Sequence, residues 1–210
     1  MATTTTNYGF DIPQSTDLVK DGATAIATLG QDIDTAMNTA LGTKKAGMVL
    51  LNTTSFSAVA SQSINDVFTT SYDNYRILIA IDSTTATSQQ NFQIKLRASG
   101  TDKSTAYDFN LLRQFTTNAT YVNATNQTSF VIGYLSTNIN GTSFFALDIC
   151  DPKISKATRM FVNSTYAADS VRDMQTGGCV QTENYSADGF TISIGANAVT
   201  GRVSTYGYNK

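Results

Sequence analysis

Apolar positions along the chain change period once, near residue 47. Before that point the spacing is helical. Val19, Gly22, Ile26, Leu29, Ile33, Ala36 and Ala40 recur at alternating gaps of three and four, the a/d seam of a coiled coil. The spacing predicts a helix over residues 15–41. Ser15 or Thr16 is placed to cap it, Asp17 and Asp21 lie near the positive end of its dipole, and Gly42 is a stop signal. Met37 and Leu41 broaden the stripe. Gly22 and Gly30 each weaken such a helix by about 1 kcal/mol relative to Ala, and a single helix of this length is not stable alone in water. The stripe needs cover, from sister chains or, on the simpler reading, from the rest of the chain.

After Gly47 the period becomes two. Residues 74–81 (NYRILIAI) put Tyr75, Ile77, Ile79 and Ile81 on one face. Residues 91–97 (NFQIKLR) put Phe92, Ile94 and Leu96 inward and Gln93, Lys95 and Arg97 outward. Tyr107, Phe109 and Leu111 alternate next. Apolar runs at 48–51, 130–135, 144–150, 159–166, 190–194 and 202–208 complete about nine predicted strands. Turn signals stand at 99–102, Asn140–Gly141, Asp188–Gly189 and Thr200–Gly201, and Gly177–Gly178 also reads as a turn. The predicted fold is mainly β: an antiparallel β-sandwich of jelly-roll kind preceded by one N-terminal α-helix. The organisation expected is a tail over 1–14, a helix over 15–43 and a head over 44–210. The tail ends in a small apolar cluster, Tyr8, Phe10, Ile12 and Pro13, too little to order it alone, so it must dock or stay mobile.

Composition sharpens this picture. Charged residues are only 14% of the 210, and about a sixth of the chain is Thr. Thr suits the outer face of strands. With a net charge of −2 and only an isolated Lys44–Lys45 pair, the basic footprint of a nucleic-acid binder is missing. No apolar run is long enough to span a bilayer. The start, MATTTTNYGFDIPQ, lacks the basic and apolar regions of a secretory signal, so synthesis in a cytoplasm and delivery by assembly or lysis are expected.

The chain has no His and no Trp. Ordinary Ser-His or Cys-His nucleophile pairs and zinc sites therefore have no basis. Glu183 is the sole Glu. The Asp148/Asp151 and Asp32/Asp34 pairs fit a strand end with its turn and an exposed helix face better than a metal loop or a glycosidase pair. No catalytic residue, cofactor or metal is expected. Cys150 and Cys179, the latter in the predicted turn, read as free thiols. Seven glycosylation sequons, at Asn52, Asn118, Asn123, Asn126, Asn140, Asn163 and Asn184, are ascribed to the abundance of Asn, Ser and Thr.

The segment from Tyr8 to Met37, YGFDIPQSTDLVKDGATAIATLGQDIDTAM, resembles the N-terminal segment of minor tail and fibre-like proteins of tailed bacteriophages. The matching positions include Tyr8, Gly9, Phe10, Pro13, Ser15, Thr16, Asp17, Val19, Lys20, Asp21, Gly22, Ala23, Leu29, Gly30, Ile33 and Asp34, while Gln14 replaces a smaller residue. The head carries a looser resemblance to sandwich domains of phage structural proteins in Val67–Phe68–Thr69, Tyr72, Asp73, Asn74 and Tyr75, Leu96 to Gly100, and Val203, Tyr206 and Gly207. The resemblance implies a virion location. It also implies docking on other virion proteins (tail, baseplate or capsid) through Tyr8, Phe10, Ile12 and Pro13. Association of copies, as homotrimers, would use Val19, Gly22, Ile26, Leu29, Ile33, Ala36 and Ala40.

The leading function is a fibre- or spike-like tail component whose head contacts the host surface. The alternatives are a capsid-attached decoration or head-fibre protein, a polysaccharide-degrading enzyme, and a cellular lectin, the last disfavoured by the N-terminal segment. A host-surface glycan is a candidate partner; membrane insertion is not expected. Residues 116–128 (TTNATYVNATNQT) read as a polar loop, with Asn118, Tyr121, Asn123 and Asn126 as receptor-contact candidates. A ring stacks on a sugar and amides hydrogen-bond to it. The simpler reading is an exposed strand edge with Tyr121 packed. Residues 84–90 and 168–184 are weaker loop candidates.

Overall fold

A computed structural model describes residues 3–12, 18–42, 47–114, 118–135, 143–168 and 171–209. The chain divides into two compact units, Met1–Gly47 and Met48–Lys210.

In the first unit, β1 (Thr3–Thr4) pairs antiparallel with β2 (Asp11–Ile12). The connecting turn is held by the Thr5 N–H donating to the Phe10 carbonyl at 2.8 Å and the Phe10 N–H donating to Thr5 Oγ1 at 2.9 Å. Residues 3–12 of the tail thus form a hairpin with local hydrogen bonds. The helix α1 runs Val19–Met37 and widens into a π-helical turn, Asn38–Gly42. Its N-cap is Leu18, which has no side-chain oxygen to cap the orphan N–H groups. The described helix thus begins at Val19, and the predicted cap and first-turn residues Ser15, Thr16 and Asp17 lie outside the described residues. Asp21 does occupy the first turn.

The described residues of the second unit form thirteen strands. They are β3 (Met48–Val59), β4 (Ser61–Ile64), β5 (Asn74–Thr84), β6 (Gln90–Ala98), β7 (Thr101–Asp102), β8 (Tyr107–Gln114), β9 (Ala119–Gln127), β10 (Phe130–Leu135), β11 (Ser143–Cys150), β12 (Lys156–Ala168), β13 (Val171–Tyr185), β14 (Gly189–Ser193) and β15 (Val199–Tyr208). The large sheet has the order β3-β15-β5-β11-β12-β13-β8-β9 and the small one β10-β6-β14-β4, with β7 beside β6. All pairings are antiparallel.

Eight strands carry the frame: β3, β4, β5, β6, β10, β11, β14 and β15. Counted one to eight in chain order, they lie 1-8-3-6 in one sheet and 5-4-7-2 in the other. This is the connectivity of a jelly roll, two interleaved Greek keys, as the sequence predicts. Two hairpins are inserted into it. β8–β9 leaves the chain between β6 and β10, and β12–β13 leaves it between β11 and β14. The hairpins pair with each other through β13 and β8, and β12 adds to β11. Four strands thereby extend one sheet of the jelly roll and leave the other short.

The alternating positions face the core as expected: Tyr75, Ile77, Ile79, Ile81, Phe92, Ile94 and Leu96 are fully buried. Rings join the two sheets. Phe92 of β6 meets Phe145 of β11 at 4.9 Å between centroids, and Phe130 of β10 meets Phe109 of β8 at 5.8 Å. Such pairs add directional packing to apolar burial.

Several predicted turns are strands instead. Gly177 and Gly178 lie within β13, and Cys179 there is a buried inward residue. Gly189 opens β14 and Gly201 sits at a bulge in β15. A Cβ at either would collide with a neighbouring strand's carbonyl, of Ile64 and Ala80 respectively. These glycines permit close backbone approach, not chain reversal. The signal at Ser99–Gly100 is a true turn, with both φ values positive. Asn140–Gly141 lies outside the described residues. Residues 118–128 hold the edge strand β9, in line with the simpler of the two readings of that stretch, while the loop candidate at 168–184 mostly falls in β13.

Candidate functional site

The outer face of the large sheet can be built from its register. Pairing aligns Leu50, Tyr206, Arg76, Asp148, Phe161, Gly178, Asn110 and Asn123 in one row across all eight strands. Two residues along, the next row is Thr53, Ser204, Leu78, Ala146, Asn163, Thr176, Leu112 and Tyr121. Side chains in a row share a face because strand side chains alternate. Such a face is normally polar where it meets water. Here it is mixed: Phe161 is 47% exposed, Phe144 42% and Tyr121 64%, and Leu112 and Met174 are exposed as well.

Two depressions mark this face. The first, of 530 Å³, lies over β11, β12, β13, β8 and β9, with Phe161, Asn110, Asn123, Asp108, Asp148 and Arg159 around it. The second, of 350 Å³, adjoins Phe144, Asn163, Thr165, Met174, Thr176 and Arg76. Both fall in the size range of small-ligand clefts. Gly178 lies between Phe161 and Asn110 in its row. A Cβ there would stand 3.5 Å from the Met160 carbonyl oxygen and 3.9 Å from Phe161 Cδ2, ordinary contacts. The missing side chain is therefore not demanded by backbone packing; it leaves a gap between a ring and an amide.

The face carries charges of both signs, Asp108, Asp148, Arg159 and Arg76, and some of them are engaged internally. Tyr208 donates its hydroxyl to Asp148 Oδ1 at 2.8 Å, and Arg76 lies 3.8 Å from the same oxygen. Arg76 also donates to the Tyr208 hydroxyl at 3.4 Å, and this bond is the main cause of its raised pKa. Asp108 Oδ1 accepts the Asn126 N–H at 2.7 Å. The amides are oriented too. Thr176 donates to Asn163 Oδ1 at 2.8 Å and Tyr121 to Asn110 Oδ1 at 3.0 Å. Each bond uses the amide oxygen and turns the NH₂ group elsewhere.

Of the receptor-contact candidates, Tyr121 and Asn123 fall on β9, an edge strand, and Asn118 directly precedes it. Tyr121 is not packed. Asn126 sits at positive φ, 52°, beside a bulge. Only Asn123 lines the first depression. Sequence reasoning missed Phe161, Phe144, Asn110, Asn163, Thr176 and Gly178. A usable signal exists in the runs 144–150 and 159–166, where aromatic residues occupy both alternations of a strand. On a sheet with one wet face, an aromatic in the outward register needs a reason.

The association candidates lie along α1. Val19 is 94% exposed and Ile26 64%, while Leu29 and Ala36 are half-buried. At the C-terminal end the hairpin meets the stripe: Tyr8, Phe10, Ile33, Ala36, Met37 and Ala40 enclose a 300 Å³ cleft. Tyr8 and Phe10 stack with centroids 5.5 Å apart. The docking candidates Tyr8 and Phe10 and the end of the seam are thus brought together. Gly22 has open space beside it, Ile12 pairs with Thr3 in the hairpin, and Pro13 lies outside the described residues.

Among the described residues no cluster of His, Cys, Asp or Glu is arranged to hold a metal ion. Among the described residues, no helix is long and apolar enough to cross a membrane. Cys150 and Cys179 are free thiols on opposite faces of the large sheet.

The site and frame define a jelly-roll β-sandwich with a one-sided sheet extension, preceded by a helical unit. No protein-family model matches the chain, and no curated protein matches it. Among solved structures, the CBM2 module of the evolved Dit of Lactobacillus casei BL23 phage J-1 is similar over 71% of this chain and 69% of that chain, at 8% identity and a TM-score of 0.27. A likeness that distant carries no argument about this chain.

Proposed function

We propose that this chain is a non-enzymatic structural protein of a tailed-phage virion, a fibre- or spike-like tail component that displays its β-sandwich toward the host surface. The observation that carries this reading is the stripe of α1. It keeps coiled-coil spacing while Val19 and Ile26 stand largely exposed. A helix with such a stripe gains stability when sister copies cover it. The phage-like motif from Tyr8 to Met37 supports attachment by the same unit, with the exposed Tyr8 on the docking hairpin. A trimer is the proposed state.

The test is the solution mass of the full chain by light scattering. About three times the 22.5 kDa chain mass is expected. Ile26→Asp with Leu29→Asp should yield monomers with unchanged β-sheet circular dichroism, because charges are not tolerated in a seam. A monomeric wild type, or a double variant of unchanged mass, refutes the association. Co-sedimentation with purified tails and capsids locates the protein: binding to tails is expected, and binding to capsids alone overturns the tail assignment.

A further inference from the structure

We infer that the outer face of the large sheet, around Gly178, is a binding site for a neutral oligosaccharide. The inference deepens the display function above and rests on the sandwich being the displayed part.

The chemistry of the face selects the ligand. A sugar ring has an apolar C–H face and an equatorial belt of hydroxyls. The first needs an exposed ring, the second needs planar amides and fixed acceptors. The first depression offers both at once. Phe161 stands on one side of Gly178 and Asn110 on the other. Adjacent strands are 4.7–4.9 Å apart, so ring and amide are separated by about 10 Å with no side chain between them. Asn123 extends the amide wall by one strand. The Asn110 oxygen is already committed to Tyr121, so its NH₂ donors are left for a ligand.

A neutral ligand follows from the charges. Asp148 is matched by Arg76 and Tyr208, Asp108 accepts a backbone N–H, and Arg159 on the same rim offsets the two carboxylates. Neither depression presents a cluster of one sign. An anionic polymer would require a basic cluster, and a cationic one an acidic cluster.

An oligomer, not a single sugar, follows from the second depression. The first lies along the Asp148 and Cys150 rows, the second along the Phe144 and Ala146 rows. Their centres are about 13 Å apart along the strands. The second repeats the same elements, Phe144 as the ring, Asn163 as the oriented amide and Thr165 and Thr176 as hydroxyls. A chain of several sugars would cross from one ring–amide pair to the next. A peptide adding to the sheet would use the edge strand β9 and its backbone, not this face.

The test uses the full-length protein on an array of neutral tri- to hexasaccharides of glucose, galactose, rhamnose and N-acetylglucosamine. Sialylated and sulfated oligosaccharides serve as charged controls. The expected result is binding to a neutral oligosaccharide and not to the charged set. Phe161→Ala should weaken it about tenfold or more. Gly178→Val should abolish it, since a β-branched residue suits the strand and fills the gap. Unchanged thermal melting of Gly178→Val shows that the loss is local; if that variant melts early, Asn110→Ala replaces it, with the same expectation as Phe161→Ala. Light scattering of the same samples separates this inference from the association reading. Assembled protein that binds no neutral oligosaccharide sinks the inference alone, as does binding indifferent to both Phe161→Ala and Gly178→Val. A solution mass that falls in Gly178→Val would instead assign the face to a second copy of the chain.

Discussion

The Tyr121 hydroxyl donates to Asn110 Oδ1 at 3.0 Å, tying the exposed edge strand β9 to its neighbour β8 by a side-chain bond on the outer face. The ring is 64% exposed, so little burial is at stake. Tyr121→Phe should therefore change unfolding free energy by no more than about 0.5 kcal/mol. It frees the Asn110 amide to rotate, and saccharide binding should weaken modestly while urea denaturation curves superimpose. A large loss of stability would show that β9 is held chiefly by this bond.

Tyr107 gives the opposite expectation. It is fully buried in β8, yet its hydroxyl accepts the Leu96 N–H of β6 at 2.8 Å and donates to the Lys103 carbonyl at 3.1 Å. This hydroxyl links the two sheets. Tyr107→Phe leaves a buried N–H without that acceptor and should cost about 1–3 kcal/mol, read as a lower urea midpoint at constant slope.

Burial pushes the Tyr107 and Tyr185 hydroxyls and the Cys179 thiol above their ordinary pKa values, 10.0 for the phenols and 9.0 for the thiol. The folded state therefore holds these protons longer than the unfolded state. Their stabilisation is complete below pH 9 and is lost as pH rises through 9 and 10 toward the folded values. Melting temperature measured from pH 7 to 11 should be flat at first and then fall. A melting temperature that rises over the alkaline range would contradict the burial of these groups.

The two thiols should differ in reactivity. Cys150 faces outward from β11 and Cys179 is buried in β13. Brief treatment of native protein with a maleimide, followed by peptide mass spectrometry, should find the label on Cys150 and not on Cys179. Denaturation should expose both.

Gly30 lies off the seam of α1 and has open space where a Cβ would stand. Gly30→Ala should stabilise the helix by up to about 1 kcal/mol. In the associating protein, helical circular dichroism should persist to higher temperature with no change in oligomeric mass.

Much of the frame is legible in the sequence because it rests on local alternation. Tyr75, Ile77, Ile79 and Ile81 can be assigned to the core without knowing what packs on them, since period two sends them to one side. The a/d spacing on α1 is equally local. The missed strands, β4 and most of β13, are rich in Ser, Thr and Gln, whose alternation carries little hydropathy contrast, and the same composition left β9 open between a strand edge and a loop. Glycine misleads for a related reason. At Gly189 and Gly201 it serves close approach between strands, which looks the same in sequence as a turn. The helix start at Val19 also departs from the capping signal, because Leu18 takes the cap position without a side-chain bond.

The sequence by itself determined the β class, the change from helical to strand period, the inward set of most strands and the helical stripe, all consequences of side-chain direction within a single element. Only the tertiary structure decided that two inserted hairpins join edge to edge. That pairing places Phe161, Gly178, Asn110 and Asn123 in one row, although they come from four strands separated by up to 68 residues. It also decided that Tyr121 stands exposed on the edge strand and is not packed. The physical reason is that register between distant strands is set by backbone hydrogen bonding and by closure of the core, and neither leaves a periodic mark in the residues that the register brings together.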